Sequence, residues 1–175
     1  INASFYRLPS EAMVRRWCEV APRGFLFAVK LWRRITHLKR LRDCQEDLEL
    51  FLERVEPLGS HIGPLLVQLP PSFQADPELL DEFLSCLRAC GWLGRRRRRR
   101  VAVEFRHLSW VDPAAEANKA KQAAGVLDRY NAALVLADLP RCPITEPANA
   151  DFIYIRRHGP GGRYRGCYAA EHIEA

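Results

Sequence analysis

The chain has no run of about 18 uncharged apolar residues, the length a membrane-spanning helix requires, so no membrane partner is expected. No Gly-rich phosphate loop follows any strand-like segment, which argues against a nucleotide-binding Rossmann unit. None of the six cysteines, at positions 18, 44, 86, 90, 142 and 167, forms a Cys-x-x-Cys pair. A zinc site would want tighter clustering with histidine partners. Buried free thiols in a reducing, cytoplasmic compartment are the expectation. No serine or cysteine stands beside an evident activating base, so nothing marks a covalent hydrolase. There is no internal repeat and no linker, so residues 1–175 read as one domain. The chain also lacks an initiator Met and opens with Ile1-Asn2-Ala3-Ser4-Phe5 in what reads as the end of a strand. A piece of a longer protein is the expectation.

What is present is a hydrophobic content of 48% and a formal charge of +6. That is enough apolar material for a real core. The charge is local. Six arginines stand together at Arg95–Arg100, and without them the chain is near neutral. The basic character is therefore weak evidence for nucleic acid.

Short apolar segments alternate with helical patterns. Phe25–Leu31, Pro64–Leu69, Val101–Phe105, Ala133–Ala137 and Phe152–Ile155 read as buried parallel strands. Ser10 can cap a helix carrying Met13, Trp17 and Val20. Residues 45–58 place Leu48, Phe51, Leu52, Val55 and Leu58 at helical spacing. Asp76-Pro77-Glu78 supplies a cap, a first-turn proline and an acidic first turn, with Gly91 as the stop. Asp112-Pro113 opens an Ala-rich helix running through residue 124. Strand–helix alternation of this kind gives an α/β fold with a parallel sheet, either a barrel or an open doubly wound sheet.

Side chains alternate across a strand. Phe25, Phe27 and Val29 should pack under helices, as should Val101, Val103 and Phe105. The other parity carries Lys30, Gln68 (with Leu66), Glu104 with Arg106, Asp138 (with Leu136), and Arg156 with Tyr154 and His158. Five strands thus deliver polar groups at their carboxyl ends, the face on which barrel enzymes build sites. A single such residue is usually an interior ion-pair partner. Five together point to a polar pocket, because unpaired buried charge is costly. Glu104, Asp138 and His158 are candidate catalytic groups for acid–base work. Lys30, Arg106 and Arg156 suit an anion such as phosphate or carboxylate. A divalent metal on Asp138, Glu104 and His158 is a weak reading, since one His with two carboxylates from separate strands is a poor metal signature. Neither a cofactor nor an oligomeric state is legible.

The segments Asn2-Ala3-Ser4-Phe5-Tyr6-Arg7-Leu8-Pro9, Phe27-Ala28-Val29-Lys30, Ile35-Thr36-His37-Leu38-Lys39-Arg40-Leu41 and Gln68-Leu69-Pro70-Pro71 occur in order. Val103-Glu104-Phe105-Arg106-His107, Ala137-Asp138, Tyr154, Arg156, His158-Gly159 and Tyr164-Arg165-Gly166 follow. Together they resemble the YecE-like family, a domain of unknown function. The resemblance implies a TIM-barrel-like fold with no assigned reaction, here running from about strand two to strand seven, and so incomplete. It adds Asn2, Ser4 and His37 to the candidate ligand-binding residues. It departs from the family pattern at Gly94 and the arginine run, and in an Ala-rich stretch between Trp110 and Ala133. Arg95–Arg100 precede a strand, so they should lie exposed at the amino-terminal face, away from the site. A solvated loop is the plain reading and an RNA- or DNA-contacting tail the sharper one. Residues 33–41 follow a strand at the site face and carry Arg33, Arg34, His37, Lys39 and Arg40, which with Trp32 could contact a phosphate backbone; a long loop with a solvated basic side is the plain reading.

Three functions fit. One is an enzyme acting on a phosphate-bearing substrate, either a nucleic-acid phosphodiester or a sugar phosphate. Another is a non-catalytic module binding an anionic small molecule or nucleic acid. A sugar-isomerase-type barrel rests on fold analogy alone.

Overall fold

A computed structural model describes residues 1–93, 99–160 and 165–172, with side chains left out at positions 113 and 115–117. Helices α1 (Ala3–Tyr6) and α2 (Glu11–Val20) precede strand β1 (Phe27–Lys30). A five-residue π-helical turn, Arg34–Leu38, leads to α3 (Gln45–Val55), a 3₁₀ stretch Glu56–His61, and β2 (Ile62–Gln68). Then come α4 (Pro77–Ala89), β3 (Val101–Glu104), α5 (Pro113–Arg129), β4 (Ala133–Leu139), β5 (Cys142–Ile144) and β6 (Tyr154–Arg156).

The expected caps are present. The Ser10 hydroxyl accepts from the Met13 amide at 3.2 Å, and Asp76 accepts from the Leu79 amide at 3.1 Å. Asp112 accepts from Ala114 at 2.8 Å. The α4 stripe of Leu79, Leu80, Phe83, Leu84 and Leu87 is buried throughout, each side chain contributing roughly 1.5–3 kcal/mol.

The sheet runs β1-β2-β3-β4 in parallel, with β6 parallel to β4 and β5 antiparallel to it. Ala137 pairs with Ile144 on one side and Arg156 on the other, so β5 takes the edge of β4 beyond the point where β3 stops. The sheet is mostly parallel and is not closed among the described residues. Its two faces differ. Val29, Leu65, Val67, Val101, Val103 and Phe105 join the side chains of α2 to α5 in one large core. The opposite face holds a small cluster of Leu66, Ala102, Ala133 and Val135, with Phe152 and Tyr154 against it. The helices that contribute to the large core therefore pack on one face. The other face curls over itself, and residues of β1, β2 and β6 line one cavity.

Four expectations need correction. Residues 1–6 are not a strand end throughout: Ile1 alone bridges to β1, its nitrogen donating to the Ala28 carbonyl and its carbonyl accepting from Lys30, before α1 begins. The helical pattern over 45–58 holds α-geometry only to Val55, because Pro57 and the positive φ of Gly59 tighten the continuation into 3₁₀ turns. The segment after β1 is no simple loop, since Arg34–Leu38 form the π-helical turn. The fourth concerns β4. Register pairs Ala102 with Ala133 and Val135 with Tyr154, so Ala133, Val135 and Ala137 face inward and Leu134 and Leu136 outward. Leu136 and Asp138 do not share the inward parity. The reason is that β4 is apolar on both faces, so alternation carried no information.

Candidate functional site

The parallel register sets the inner face level by level. Lys30 stands beside Leu66, Leu66 beside Ala102, and Gln68 beside Glu104. Arg156 comes from β6 beside Ala137. Glu104 is fully buried. Its Oε1 accepts from Arg106 Nε at 2.7 Å and its Oε2 accepts from the Arg156 guanidinium. Arg156 also donates to Gln68 Oε1 at 3.4 Å. A lone carboxylate at this depth would cost several kcal/mol, and two charge-assisted partners offset that.

His158 continues the network. Its ring Nε2 is 3.7 Å from Glu104 Oε1 and 3.4 Å from Arg106 Nη2. Its Nδ1 is 3.0 Å from Asp138 Oδ1, and its backbone N–H donates to the same oxygen at 2.8 Å. The Tyr168 hydroxyl donates to Asp138 Oδ2. Burial pushes the Asp138 carboxyl up, but the bonds from Tyr168 and His158 outweigh it and hold the group below its ordinary value. Tyr168 is raised by desolvation and by that carboxylate. Gly159, at φ +87°, turns the chain so that this tie can form. A Cβ there would meet the Arg165 carbonyl oxygen at 2.7 Å.

In front of this network lies a cavity of about 710 Å³. Lys30, Arg33, Arg106 and Arg156 line it, and no carboxylate does among the lining residues. Lys30 Nζ sits 3.7 Å from the centroid of the Phe5 ring. Burial pulls its pKa down to about 8, and Arg156 and Arg106 add to that while Glu104 opposes it. His37 is pulled down to about 4 by burial and then by Lys30, Arg33, Arg106 and Arg40. Its Nδ1 is 2.8 Å from Thr36 Oγ1 and its ring stands edge-on to Phe5.

A family profile described as "Protein of unknown function DUF72" matches residues 1–175. The chain belongs to the DUF72 family. The UPF0759 protein YecE of Escherichia coli K12 is 38% identical over 72 residues, which is 41% of this chain and 26% of YecE. The O157:H7 YecE matches equally. Two crystal structures of a DUF72 family protein from Enterococcus faecalis V583 share the fold. One gives a TM-score of 0.76 at 24% identity and the other 0.72 at 23%, each covering 99% of this chain. The chain spans 72% and 64% of those two chains, and its match to YecE spans about a quarter of that protein.

Of the ligand-binding residues expected in this DUF72 chain, Asn2, Lys30, His37, Gln68, Arg106 and Arg156 line the cavity. Ser4 does not. It is buried, its hydroxyl 2.7 Å from the Lys30 carbonyl oxygen and 3.1 Å from that of Ile1, and it fastens α1 to β1. Glu104, Asp138 and His158 come together but stand behind the guanidiniums rather than on the cavity wall. Among the described residues no three His, Cys, Asp or Glu side chains are grouped to hold a metal ion. Both Glu104 oxygens are engaged by guanidiniums.

The basic segment after β1 is largely tied down. Arg34 and Lys39 both pair with Asp47, at 3.0 and 2.8 Å, and Arg42 pairs with Asp76 at 3.2 Å. Arg40 donates to Ser72 and lies over Phe73. Arg33 and His37 are the members that reach the cavity. Of the arginine run, positions 95–98 lie outside the described residues, as does Tyr164. Arg99 is not a solvated residue: it pairs with Glu56 at 2.6 Å and stacks on Trp92. Arg100 lies over Phe152. Both precede β3, at the end away from Glu104. Sequence reasoning missed Phe5, Tyr6 and Tyr168. The aromatic pair was unreadable while residues 1–6 read as strand, and Tyr168 lies in a segment without periodicity.

Proposed function

We propose that the cavity binds a small phosphate-bearing molecule of the sugar-phosphate class. The observation that carries this is four cationic side chains, with no carboxylate, on the lining of one concavity. Its volume of about 710 Å³ falls in the roughly 300–1,000 Å³ range of small-ligand pockets. A phosphodiester backbone is the weaker fit, because Arg34, Lys39, Arg40 and Arg42 are spent on protein partners. Glu104, Asp138 and His158 serve here as a scaffold that aims Arg106 and Arg156. That placement favours binding over acid–base turnover at Glu104, and it leaves a divalent metal without support.

The architecture fits the same reading. Helices on one sheet face, and a cavity lined from β1 round to β6, are what an arc of a TIM-barrel-like domain would show. We take residues 1–175 as part of one such domain, with the site at the carboxyl ends of the strands. Six unbridged cysteines support a reducing, cytoplasmic setting. No helix among the described residues is long and apolar enough to cross a membrane.

Isothermal titration with ribose 5-phosphate, ribose, pyrophosphate and a single-stranded oligonucleotide tests this. Ribose 5-phosphate and pyrophosphate should bind and ribose should not, with affinity falling as salt rises. Arg33→Ala should weaken phosphate binding about tenfold, since a charged hydrogen bond is worth about 1.5–3 kcal/mol. Ribose binding as well as its phosphate would end the proposal. So would an oligonucleotide outcompeting every small phosphate.

A further inference from the structure

We propose that Lys30 is a covalent catalytic residue whose amine forms an imine with a carbonyl-bearing phosphorylated substrate held by Arg33, Arg106 and Arg156. This rests on the cavity's being an anion site and adds the reaction class.

The argument begins with placement. Lys30 ends β1 on the inner face and lines the cavity. The protein's other lysines, Lys39, Lys119 and Lys121, do not line it. Lys30 forms no ion pair among the described residues, whereas Arg106 and Arg156 are both committed to Glu104. Its ammonium lies against the face of Phe5, with the backbone beneath it held by Ser4. A lysine serving only as an anion clamp would gain from a hydrated, fully charged head. Here three guanidiniums line the same concavity and the stem is half-buried, a setting that favours the neutral amine. The direction of its shift, down to about 8, agrees. At neutral pH roughly a tenth of such a group is unprotonated, against well under a thousandth for an ordinary lysine. Desolvated lysines beside other cations are the ones enzymes use as amine nucleophiles.

The chemistry balances without a co-reactant. The neutral amine's lone pair attacks the carbonyl carbon, and a proton moves from nitrogen to the new alkoxide. The carbinolamine C–O bond then breaks, its oxygen leaving as water after taking a second proton. Overall an ammonium and a carbonyl become a protonated imine and one water. The phosphate stays on the arginines throughout, so the positive imine forms beside an anion rather than among bare cations. The proton that the Lys30 ammonium first sheds goes to solvent in the open cavity, and the second proton returns from there.

Pyridoxal 5′-phosphate is the probe. The protein is incubated with it at pH 7.5, reduced with borohydride, and mapped by peptide mass spectrometry. Lys30 should carry adduct at least about tenfold above Lys39, Lys119 and Lys121, and excess pyrophosphate should suppress it. Pyridoxal without the phosphate should label Lys30 at least about tenfold more slowly. Lys30→Arg should lose the adduct. Adduct spread evenly over the lysines, or equal labelling by pyridoxal, would overturn the role of Lys30. Pyrophosphate binding without Lys30 adduct would remove the lysine chemistry alone. Failure of pyrophosphate to bind at all would remove the anion site and this proposal with it.

Discussion

Replacing Glu104 by Gln separates a scaffold from a reacting group. Glu104 has no exposed surface, while Arg106 and Arg156 are 16% and 23% exposed in their side chains. Gln keeps the volume and one accepting oxygen. It removes the charge and turns an NH₂ donor toward a guanidinium that can only donate. Breaking a buried pair from one side costs about 3–5 kcal/mol. Partial solvent access to both arginines places this case near the low end, at about 3 kcal/mol. For a chain of this size each kcal/mol shifts Tm by about 2–4 °C, so the melting point should fall by roughly 6–12 °C. Circular dichroism melts, with urea denaturation as a second probe, measure it. Pyrophosphate affinity of the folded variant should fall, because Arg106 and Arg156 lose the carboxylate that aims them. Glu104 also supports the Lys30 ammonium, so labelling of Lys30 in the variant should extend to lower pH. A Tm within about 1 °C of wild type would show that the buried pairing is not what holds Glu104.

Other outcomes follow from the same geometry. Gly63→Ala should cost roughly 1–3 kcal/mol by denaturant melts, because a Cβ would meet the Phe27 carbonyl oxygen at 2.9 Å where β1 and β2 shift register; an unchanged midpoint would contradict that packing. Ser4→Ala should cost about 1–2 kcal/mol, and Lys30 labelling should slow as the backbone beneath it loosens. For His37 the folded pKa of about 4 lies below the ordinary histidine value of 6.5. Over that interval the unfolded chain binds more protons, so this group's contribution to stability falls as pH drops from about 6.5 to 4. His37→Asn should therefore lose less Tm than wild type between pH 7 and 5, and parallel profiles would count against the burial of the ring. Asp138→Asn should weaken the tie between His158 and Tyr168, read as faster hydrogen exchange over residues 157–160 and 165–168.

Much of the site was legible on β1 to β3. There the outward positions are Val29, Val67, Val101 and Val103 and the inward ones end in Lys30, Gln68 and Glu104, so alternation fixed the face. On β4 it failed, since Leu134 and Leu136 are as apolar as Ala133 and Val135. Asp138 reaches the network by a different route, accepting from the His158 backbone and, past the turn at Gly159, from Tyr168. Pro143 hid β5, because a proline in a three-residue strand reads as a turn. The basic segment after β1 could not be judged from sequence, because nothing local shows that Asp47, Ser72 and Asp76 would claim its charges.

The Arg156–Glu104 pair joins residues 52 positions apart, and Arg156 reaches Gln68 across 88. The ribosome delivers Glu104 well before β6 exists, so a nascent chain carries its inner carboxylate with Arg106 as the nearby partner. Closure of β6 onto β4 is a long-range event, and such contacts form late in folding. Substitutions at Arg156 should therefore act on the unfolding limb, speeding escape from the native state while leaving the folding rate nearly unchanged. The guanidinium that lines the cavity is also the latch whose loss shortens the lifetime of the folded molecule.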